Sequence, residues 1–597
     1  MSLDVVIRNG RWFDGTGAPS AIRHIGIRDG RVVALSRDPL DESGSPHVID
    51  ATGKWVMPGM IDIHTHYDAE VLDGPSLPES LRHGVTTVMV GSCSLSTVYV
   101  TGVDAGDLFA RVEAIPREHV IAAVEAHKTW SNCEEYIAAL EQLELGPNVA
   151  AFIGHSDMRA ATMGLDRATR KDVKPTAAEQ ARMEQMLSEA IAAGFVGLSS
   201  QQLLFDKLDG DRCRSRTLPS TYAKPRELRR LKALLRRNDR VLQSGPDISH
   251  PWNVASQVFQ SLGILRQRLK TSLLTAADAK SNPLIVHTMG PIARLINRLG
   301  GDFRWQHLPV PFEVYADGID LVVFEEFGAG AAALHLKDEV ERNELLRDQA
   351  YRRRFRKDYD AKYTPRAWHR DFFDAEIVAC PDTSVIGKSF GQVGLERGGL
   401  HPVDAFLDLV LEHGTAIRWR TTISNHRPQV LKKLARDPGL QIGFSDAGAH
   451  LRNMAFYNCG LRLLRHVRDA ERAGTPFMTI EQAVHRLTGE LADWYHLDAG
   501  HLRLGDRADL VVVDPKHLDE SLDTYAEAEI KHFGGLSRMV NRNDQTVNAV
   551  FVAGQAVVLN GQPTEILGRR RTGRFLRAAS AIDGIARRHA TAAGAGR

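Results

Sequence analysis

The 597-residue sequence lacks an excess of charge of either sign, because 75 lysines and arginines stand against 74 aspartates and glutamates. It therefore offers no global basic field for nucleic acid and no acidic, solvating surface. It also lacks an apolar run of about 18 residues or more, so no membrane span is predicted. The N-terminus has no basic segment followed by an apolar one, so no signal peptide is predicted.

Cysteine is scarce as well. The five residues, Cys93, Cys133, Cys213, Cys380 and Cys459, are odd in number and scattered along the chain. Such usage favours a reducing cytoplasm over a disulfide-stabilised fold. The length of the chain favours one large domain with a smaller one over several small domains.

The two ends of the sequence have the character of short β-strands separated by turns. Before residue 58, the dipeptides Asn9-Gly10 and Asp29-Gly30 lie between strand-like runs and predict hairpin turns. Similar runs recur in "RADLVVVDP" and "NAVFVAGQAVVLNG" near the C-terminus. We therefore predict one small β-sandwich that is built from residues 1–58 and 496–565.

Between these ends, short apolar segments alternate with helical ones. Residues 175–194 predict a helix with a capping box at its start and a glycine at its end, and residues 225–237 predict a second helix that begins with proline. The alternation predicts an α/β fold, a TIM-like (β/α)8 barrel over residues 59–495. The predicted strands end near His66, Gly91, Gly154, Ser199, Ser244, His287, Ile423 and Asp446.

Two further segments complete the predicted organisation. Residues from about 290–415 are assigned to a long insertion between the sixth and seventh strands, which also takes up a ninth strand candidate, "IDLVVFEEF". Its aromatic and basic stretch "YRRRFRKDYDAKYTPRAWHRDFF" is expected to shape a pocket. Residues 566–597, with three consecutive arginines, form a C-terminal tail for which we predict a solvated or packing role.

The residues suited to chemistry lie at predicted strand ends, the edge of a barrel where catalytic groups gather. In "MIDIHTHYDAE", His64 and His66 are two residues apart, so on a strand their side chains point to the same side and can share one cation. Cys93 in "VGSCSLS" and Asp446 in "GFSDAGAH" follow other strands. Imidazole, thiolate and carboxylate are all zinc ligands, and an aspartate beside a zinc-activated water can act as a general base.

Each of these residues also has an ordinary explanation. The two histidines can be polar residues in a loop mouth, Cys93 a small buried hydrophobe, and Asp446 a loop or helix cap. His155 in "FIGHSDMR" is a further pocket candidate for which packing is an alternative. We favour a metal site because imidazole, thiolate and carboxylate side chains fall at equivalent heights of a closed barrel.

The motifs "DIHTHYD", "VGSCSLS", "GHSDMR", "LPSTYAKPREL", "GFSDAGAH" and "GHLRLGDRADLVVVDP" resemble, in this order, those of the metal-dependent amidohydrolase superfamily. Within it, the sequence is similar to the N-acyl-D-amino-acid deacylases, or D-aminoacylases, of the amidohydrolase family 3 type. The resemblance implies a TIM-like barrel with a β-sandwich from both termini, one or two zinc ions, and hydrolysis of an amide carbon–nitrogen bond. It implies Cys93 as a metal ligand and Asp446 as the general base.

The sequence departs from the family pattern at two places. On the fifth predicted strand, Gly245 stands about where a zinc-binding histidine is expected, and His250 is the nearest imidazole. On the sixth, "PLIVHTMG" replaces a Ser-His-Leu-Lys pattern, so His287 is a candidate ligand and the lysine is absent. The expected metal ligands are therefore His64, His66, Cys93 and His287.

Three hypotheses about function follow. The first is a cytoplasmic zinc-dependent hydrolase of a small N-acyl compound, foremost an N-acyl-D-amino acid, with Asp446 as the catalytic base. The second keeps the site but changes the bond to a lactone, a carbamate or a cyclic imide. The third is a binding or scaffold protein that has lost catalysis. No nucleic-acid or membrane partner is expected, and the sequence is compatible with homo-oligomers.

Overall fold

Eight parallel strands close into a barrel at the centre of the chain, whose computed structural model describes residues 2–247, 250–361 and 366–579. The strands follow one another around the ring in sequence order, and the last pairs with the first. The predicted TIM-like barrel is confirmed. The strands are Met60–Asp62 continued by His64–Thr65, Val85–Val90, Asn148–Gly154, Gly197–Gln201, Val241–Gly245, Lys270–Leu273, Asp302–His307, and Leu440–Ile442 continued by Phe444–Ala447.

Helices cover the outside of the barrel, so its strands are buried on both faces. Every residue of Val85–Val90 and of Asn148–Gly154 is buried, as expected for a parallel sheet between a helical layer and a packed interior. The helices outside the insertion are Glu70–Asp73, Pro78–Arg82, Gly102–Phe109, Arg117–His127, Cys133–Leu140, His155–Met163, Leu165–Ala168, Ala177–Ala193, Gly210–Cys213, Pro225–Arg237, Pro251–Phe259, Val286–Arg298, Pro428–Ala435, Cys459–Arg472, Ile480–Leu487 and Gly489–Tyr495. Short 3-10 turns lie at Pro219–Tyr222, Pro515–His517 and Glu520–Asp523.

Both helices that the sequence predicts in detail are confirmed. In Ala177–Ala193, the Thr176 side chain accepts from the backbone of Glu179 and the Glu179 side chain accepts in return, which completes the capping box. Gly194 ends this helix at φ 93°, a left-handed conformation that favours glycine. The second helix begins at Pro225.

The predicted ends of the sixth and seventh strands are wrong. His287 lies on the helix Val286–Arg298, and Ile423 lies on an antiparallel strand of the insertion. The sixth strand is the short segment Lys270–Leu273, and the seventh is Asp302–His307. A short apolar run such as "PLIV" does not by itself distinguish a strand from the start of a helix, which explains the error.

The predicted place of the insertion is wrong: it follows the seventh strand, Asp302–His307, and lies between the seventh and eighth strands, where it has its own hydrophobic core. Its centre is a three-stranded sheet in which Phe312–Asp317 and Glu376–Ala379 flank Arg418–Ser424. Trp368 and Trp419 are fully buried within it. Its helices and 3-10 turns are Val322–Glu326, Gly328–His335, Glu339–Arg347, Gln349–Asp360, Thr383–Val385, Phe390–Glu396, Pro402–His413 and Gly414–Ala416. Part of its basic aromatic stretch, residues 362–365, lies outside the described residues.

A nine-stranded sheet combines the two ends of the chain, as the sandwich prediction requires. Alternate residues such as Val5, Ile7 and Val512 face a core within this sheet, whereas Val511 and Val513 pack against the barrel. Both faces are therefore apolar. Its strands are Val5–Trp12, Ala21–Arg28, Arg31–Ser36, His47–Asp50, Trp55–Pro58, Leu510–Val513, Val547–Val552, Gln555–Leu559 and Gln562–Pro563. A separate hairpin joins Tyr525–Ile530 and Leu536–Asn541.

One of the two predicted hairpin turns is confirmed and the other is wrong. Asp29-Gly30 joins the strands Ala21–Arg28 and Arg31–Ser36, as predicted. Asn9-Gly10 lies inside the strand Val5–Trp12, where the pairing register shifts and Asn9 has φ 58°. The dipeptide therefore forms a β-bulge instead of a turn, because the same left-handed backbone serves both structures.

The predicted C-terminal tail begins as a packed segment. Phe575 is buried, and the backbone N–H of Leu576 donates to Val149 at 2.7 Å. The remainder of the tail, residues 580–597, lies outside the described residues. None of the helices in the described part of the chain combines the length and apolar character needed to cross a membrane.

Candidate metal centre

The carboxyl end of the first barrel strand presents two imidazoles to the barrel mouth. The Nε2 atoms of His64 and His66 lie 3.2 Å apart, so the two side chains do point to the same side. Their positions are fixed by strand pairing, because His64 pairs with Phe444 and the N–H of His66 donates to Ala447 at 2.7 Å. Each side chain is 1% exposed.

Cys93 and Asp446 complete a set of four donor atoms around the imidazoles. Sγ of Cys93 lies 3.4 Å from Nε2 of His64. Oδ1 of Asp446 lies 3.5 Å from Nε2 of His64 and 3.2 Å from Nε2 of His66. Unlike the histidines, Cys93 and Asp446 are partly exposed, so water can reach the centre from their side.

These distances fit a single zinc ion. Zinc binds nitrogen at about 2.0–2.1 Å and sulfur at about 2.3 Å, which sets tetrahedral ligand atoms about 3.3–3.6 Å apart. The nitrogen and sulfur atoms of His64, His66 and Cys93 all lie within 4.8 Å of one another. The site therefore needs little rearrangement to bind a metal ion at these side chains.

The backbone at the centre is strained. Cys93, Ser94, Asp446 and His450 have φ values of 52°, 70°, 61° and 51°, in the left-handed region that residues other than glycine rarely adopt. Such conformations cost free energy and concentrate at functional sites, where the surrounding structure imposes them. Here they turn the Cys93 and Asp446 side chains toward the imidazoles.

Gln306 selects the tautomer of His64. Nδ1–H of His64 donates to Oε1 of Gln306 at 2.8 Å, and this leaves the Nε2 lone pair free for a metal. Gln306 is held in turn, because its Nε2 donates to the Ser272 hydroxyl at 3.0 Å. Ser272 donates to Gln441 at 3.2 Å. A chain of hydrogen bonds inside the barrel thus orients the first donor.

We expect Gln306→Leu to weaken metal binding by about 10–100-fold, because His64 loses the acceptor that orients it. Competition with a chromophoric chelator measures this affinity. Gln306→Glu provides the matched control, since a carboxylate accepts the same hydrogen bond and should preserve most of the affinity. Wild-type affinity in the leucine variant would contradict the role assigned to Gln306.

Electrostatics separate the two imidazoles. Burial lowers the pKa of His64 to about 4 and keeps the ring neutral, the form that binds metals. Burial also lowers the pKa of His66, but the charges of Glu113 and Asp446 outweigh it and raise that pKa to about 9. Burial raises the pKa of Asp446, yet its contact with His66 holds that pKa below the usual range. Burial, together with the charges of Glu113 and Asp446, raises the pKa of the Cys93 thiol.

The remaining predicted candidates lie away from this centre. His287 is exposed on its helix in the outer layer, and the structure does not bring it to the other donors. His155 is buried and hydrogen-bonds the Ser200 hydroxyl at 3.0 Å and Glu227 at 2.9 Å, contacts that agree with the packing alternative. At Gly245, an added Cβ would lie 1.8 Å from Oε1 of Gln201, so the fourth strand fills the place where a histidine was expected.

Two residues of the centre escaped sequence reasoning. Glu113 follows the helix Gly102–Phe109, and its Oε2 lies 3.3 Å from Nε2 of His66. In "LFARVEAIP" nothing distinguishes this glutamate from a solvated helix residue. Gln306 could have been found from the sequence, because "FRWQH" ends a barrel strand. The sequence analysis instead places the end of the seventh strand near Ile423.

Comparison with known proteins identifies the family. The family model described as the amidohydrolase family matches residues 47–241, which contain His64, His66 and Cys93. An uncharacterized protein of Mycobacterium tuberculosis is 57% identical over 588 residues, 97% of this chain and 96% of the relative. The chain belongs to the amidohydrolase superfamily. As an amidohydrolase, it is a hydrolase of carbon–nitrogen bonds other than peptide bonds.

Two deacylases are similar to this amidohydrolase. The N-acyl-D-glutamate deacylase of Alcaligenes xylosoxydans xylosoxydans is 34% identical over 198 residues, 33% of this chain and 37% of the relative. The crystal structure of N-acyl-D-glutamate deacylase from Bordetella bronchiseptica, complexed with zinc and a phosphonate inhibitor, has a TM-score of 0.62 at 24% identity. That comparison covers 97% of this chain and 100% of the other, and it shows a shared fold.

Proposed function

We propose that this amidohydrolase uses zinc to hydrolyse the amide bond of a small N-acyl compound, foremost an N-acyl-D-amino acid. The observation that carries the proposal is the donor set itself, with Oδ1 of Asp446 3.2 Å from Nε2 of His66 and Sγ of Cys93 3.4 Å from Nε2 of His64. The deacylases among the similar proteins support an amide substrate.

Each side chain has a separate task in this reaction. A bound zinc ion supplies a Lewis acid that lowers the pKa of water and polarises the acyl carbonyl. Asp446 accepts a proton from the attacking water, whose oxygen forms a bond to the acyl carbon. The carbon–nitrogen bond then breaks, and Asp446 returns the proton to the departing nitrogen. The products are a carboxylic acid and an amine.

Cys93 is proposed as a metal ligand, and cobalt substitution tests this role. In protein loaded with Co²⁺, we expect a thiolate-to-cobalt absorption band in the near ultraviolet, because a bound cysteine is deprotonated. Cys93→Ser should abolish the band. Cys133→Ser is the matched control, since Cys133 is buried at the start of the helix Cys133–Leu140 in the outer layer. A band that survives in Cys93→Ser would leave Cys93 as barrel packing.

A second candidate keeps the site and changes the bond to a lactone, a carbamate or a cyclic imide. This candidate is favoured by the position of the lysine on the sixth strand. Lys270 lies at the start of the strand and donates to Asp239 at 2.8 Å. Catalytic groups lie at the opposite, carboxyl ends of barrel strands. Lys270 is thus not placed to bind the carboxylate of an acyl-amino acid.

A substrate screen of the zinc-loaded protein distinguishes the candidates. We expect turnover of N-acyl-D-amino acids above that of their L-enantiomers, and loss of turnover after chelation. Turnover restricted to lactones, carbamates or cyclic imides would support the second candidate. If none of these compounds is hydrolysed in a metal-dependent way, the protein is better explained as a binding or scaffold protein.

We further propose that the protein acts in the cytoplasm on a small molecule, without a nucleic-acid or membrane partner. The five cysteines are unpaired and lie in the described part of the chain, as expected in a reducing compartment.

A further inference from the structure

The loop that carries Cys93 is fastened to the helix that follows the third barrel strand. The loop comprises residues 91–101, and the helix is His155–Met163. The backbone N–H of Ser156 donates to the carbonyl oxygen of Ser94 at 2.9 Å, and the hydroxyl oxygens of these two serines lie 2.8 Å apart. The residue that follows Cys93 is therefore held by the first turn of this helix.

Asp157, the next residue of the helix, binds the remainder of the loop. Its Oδ1 accepts from the backbone N–H of Val100 at 2.7 Å, and its Oδ2 accepts from the N–H of Val98 at 3.0 Å. The N–H of Tyr99 lies 3.1 Å from both oxygens. The hydroxyl of Ser96 donates to Oδ2 at 2.5 Å. Three consecutive amides and one hydroxyl thus converge on a single carboxylate.

The Asp157 carboxylate is fully buried and binds its donors as an anion. Burial raises the pKa of Asp157 to about 6, while the hydrogen bonds from Ser96 and the loop amides and the charge of Lys128 act in the opposite direction. The group is therefore mostly ionised at neutral pH. Hydrogen bonds to an ionised acceptor are about twice as strong as those between neutral groups. Asp157 therefore restrains the loop more strongly than a neutral side chain would.

Restraints at the start of the loop place Cys93 between two fixed points. The N–H of Cys93 donates to Oε1 of Gln243 at 3.1 Å, and the N–H of Ser94 donates to the Ser199 hydroxyl at 3.1 Å. Cys93 and Ser94 both have left-handed backbones, with φ values of 52° and 70°. Such conformations cost free energy and persist only where the surrounding contacts impose them. The hydrogen bonds to Asp157 are among those contacts.

The loop also lies directly against the end of the third strand. An added Cβ at Gly154 would lie 2.5 Å from the carbonyl oxygen of Ser94. The N–H of Gly154 donates to the Ser96 hydroxyl at 3.0 Å, the same hydroxyl that donates to Asp157. Loss of the Asp157 carboxylate therefore disturbs contacts that reach the residue next to Cys93.

We propose that Asp157 is a positioning residue that holds Cys93 in place to bind the metal ion. It acts through the loop backbone, because its hydrogen bonds go to residues 96–100 and not to Cys93 itself. The inference rests on the proposed function, since it takes Cys93 as a zinc ligand. Without the carboxylate, the loop should relax and Sγ of Cys93 should leave its 3.4 Å contact with Nε2 of His64.

Asp157→Asn in the full-length protein tests this role, because the amide has nearly the shape of the carboxylate. One acceptor oxygen becomes an N–H donor, so the hydrogen bonds from residues 98–100 and Ser96 cannot all form. We expect zinc to bind about 10–100-fold more weakly, as measured by chelator competition. The thiolate-to-cobalt band should require correspondingly more Co²⁺. Asp166→Asn, which changes an exposed acid on the next helix, is the matched control and should bind zinc like the wild type.

Hydrogen–deuterium exchange separates positioning from a general loss of stability. In metal-free Asp157→Asn, the amides of residues 98–100 should exchange faster than in the wild type, whereas those of the helix Ala177–Ala193 should be unchanged. Iodoacetamide should label Cys93 faster, while the buried Cys213 keeps its wild-type rate. A variant that was only less stable would show faster exchange and labelling throughout the chain.

Each other outcome has a distinct meaning. Wild-type zinc affinity in folded Asp157→Asn would overturn the inference and leave the proposed function intact. Weaker zinc binding without faster exchange at residues 98–100 would overturn it too, because the effect would not pass through the loop. No zinc binding by the wild type would overturn the proposed function and the inference with it. If Asp157→Asn fails to fold by circular dichroism, Ser96→Ala replaces it and should bind zinc about 10-fold more weakly; unchanged affinity there counts against the proposal.

Discussion

Replacing both His64 and His66 with alanine should remove the bound metal ion and reduce hydrolysis to the uncatalysed background. Their Nε2 atoms lie 3.2 Å apart at the barrel mouth, and no other pair of imidazoles is available there among the described residues to take their place. A bound metal contributes several kcal/mol to the transition state, so kcat/KM should fall by at least about a thousandfold. Bound zinc and turnover of the best substrate in the screen are measured on the same preparation.

His287→Ala is the matched control for this double variant. The sequence analysis predicts His287 as a metal ligand, whereas in the structure its side chain is exposed on the helix Val286–Arg298. We expect wild-type zinc content and turnover in this variant. Thermal unfolding should be little changed in both variants, because the replaced side chains lie outside the main hydrophobic cores. Unchanged turnover in the double variant would reject a metal centre at the first strand.

Asp446→Asn should lower kcat by about 10²–10⁴-fold while zinc stays bound or is only modestly weakened. The amide keeps the shape of the carboxylate but cannot accept a proton from water. Asparagine also tolerates the left-handed backbone of this position, where φ is 61°. The variant thus separates loss of the base from loss of the loop conformation, and steady-state kinetics with zinc analysis measure both.

Asp211→Asn is the control for this change, because the Asp211 side chain is 95% exposed and forms an ion pair with Arg214. It should turn over substrate like the wild type. If Asp446 only capped the loop, asparagine would do so nearly as well and activity would survive. Full activity in Asp446→Asn would therefore assign the proton transfer to another group.

The sequence was most informative where periodicity and strand order determine position. His64 and His66 could be placed together because residues two apart on a strand share a face. Cys93 and Asp446 could be placed with them because parallel strands of a barrel end at one rim. The helix Ala177–Ala193 could be bounded from Thr176 and Gly194, since caps have specific backbone requirements.

The sequence was least informative where short segments or long-range contacts decide the structure. The sixth strand, Lys270–Leu273, is four residues long and too short to show a period. Glu113 reaches His66 from a loop, and its place depends on a backbone hydrogen bond to His450 that no local pattern encodes. The crowding at Gly245 by Gln201 is likewise a contact between neighbouring strands.

The pairing of the first barrel strand with the eighth has a consequence for how the protein is made. Asp62 and Ser445, which hydrogen-bond across this seam, are 383 residues apart. A ribosome therefore releases His64 and His66 long before it releases Asp446. Cys93 emerges after the histidines and before Asp446. Long-range contacts of this kind form late, after local helices and strands. The complete donor set exists only in a chain whose barrel has closed, so an incomplete nascent chain cannot hold the ion as the finished protein does.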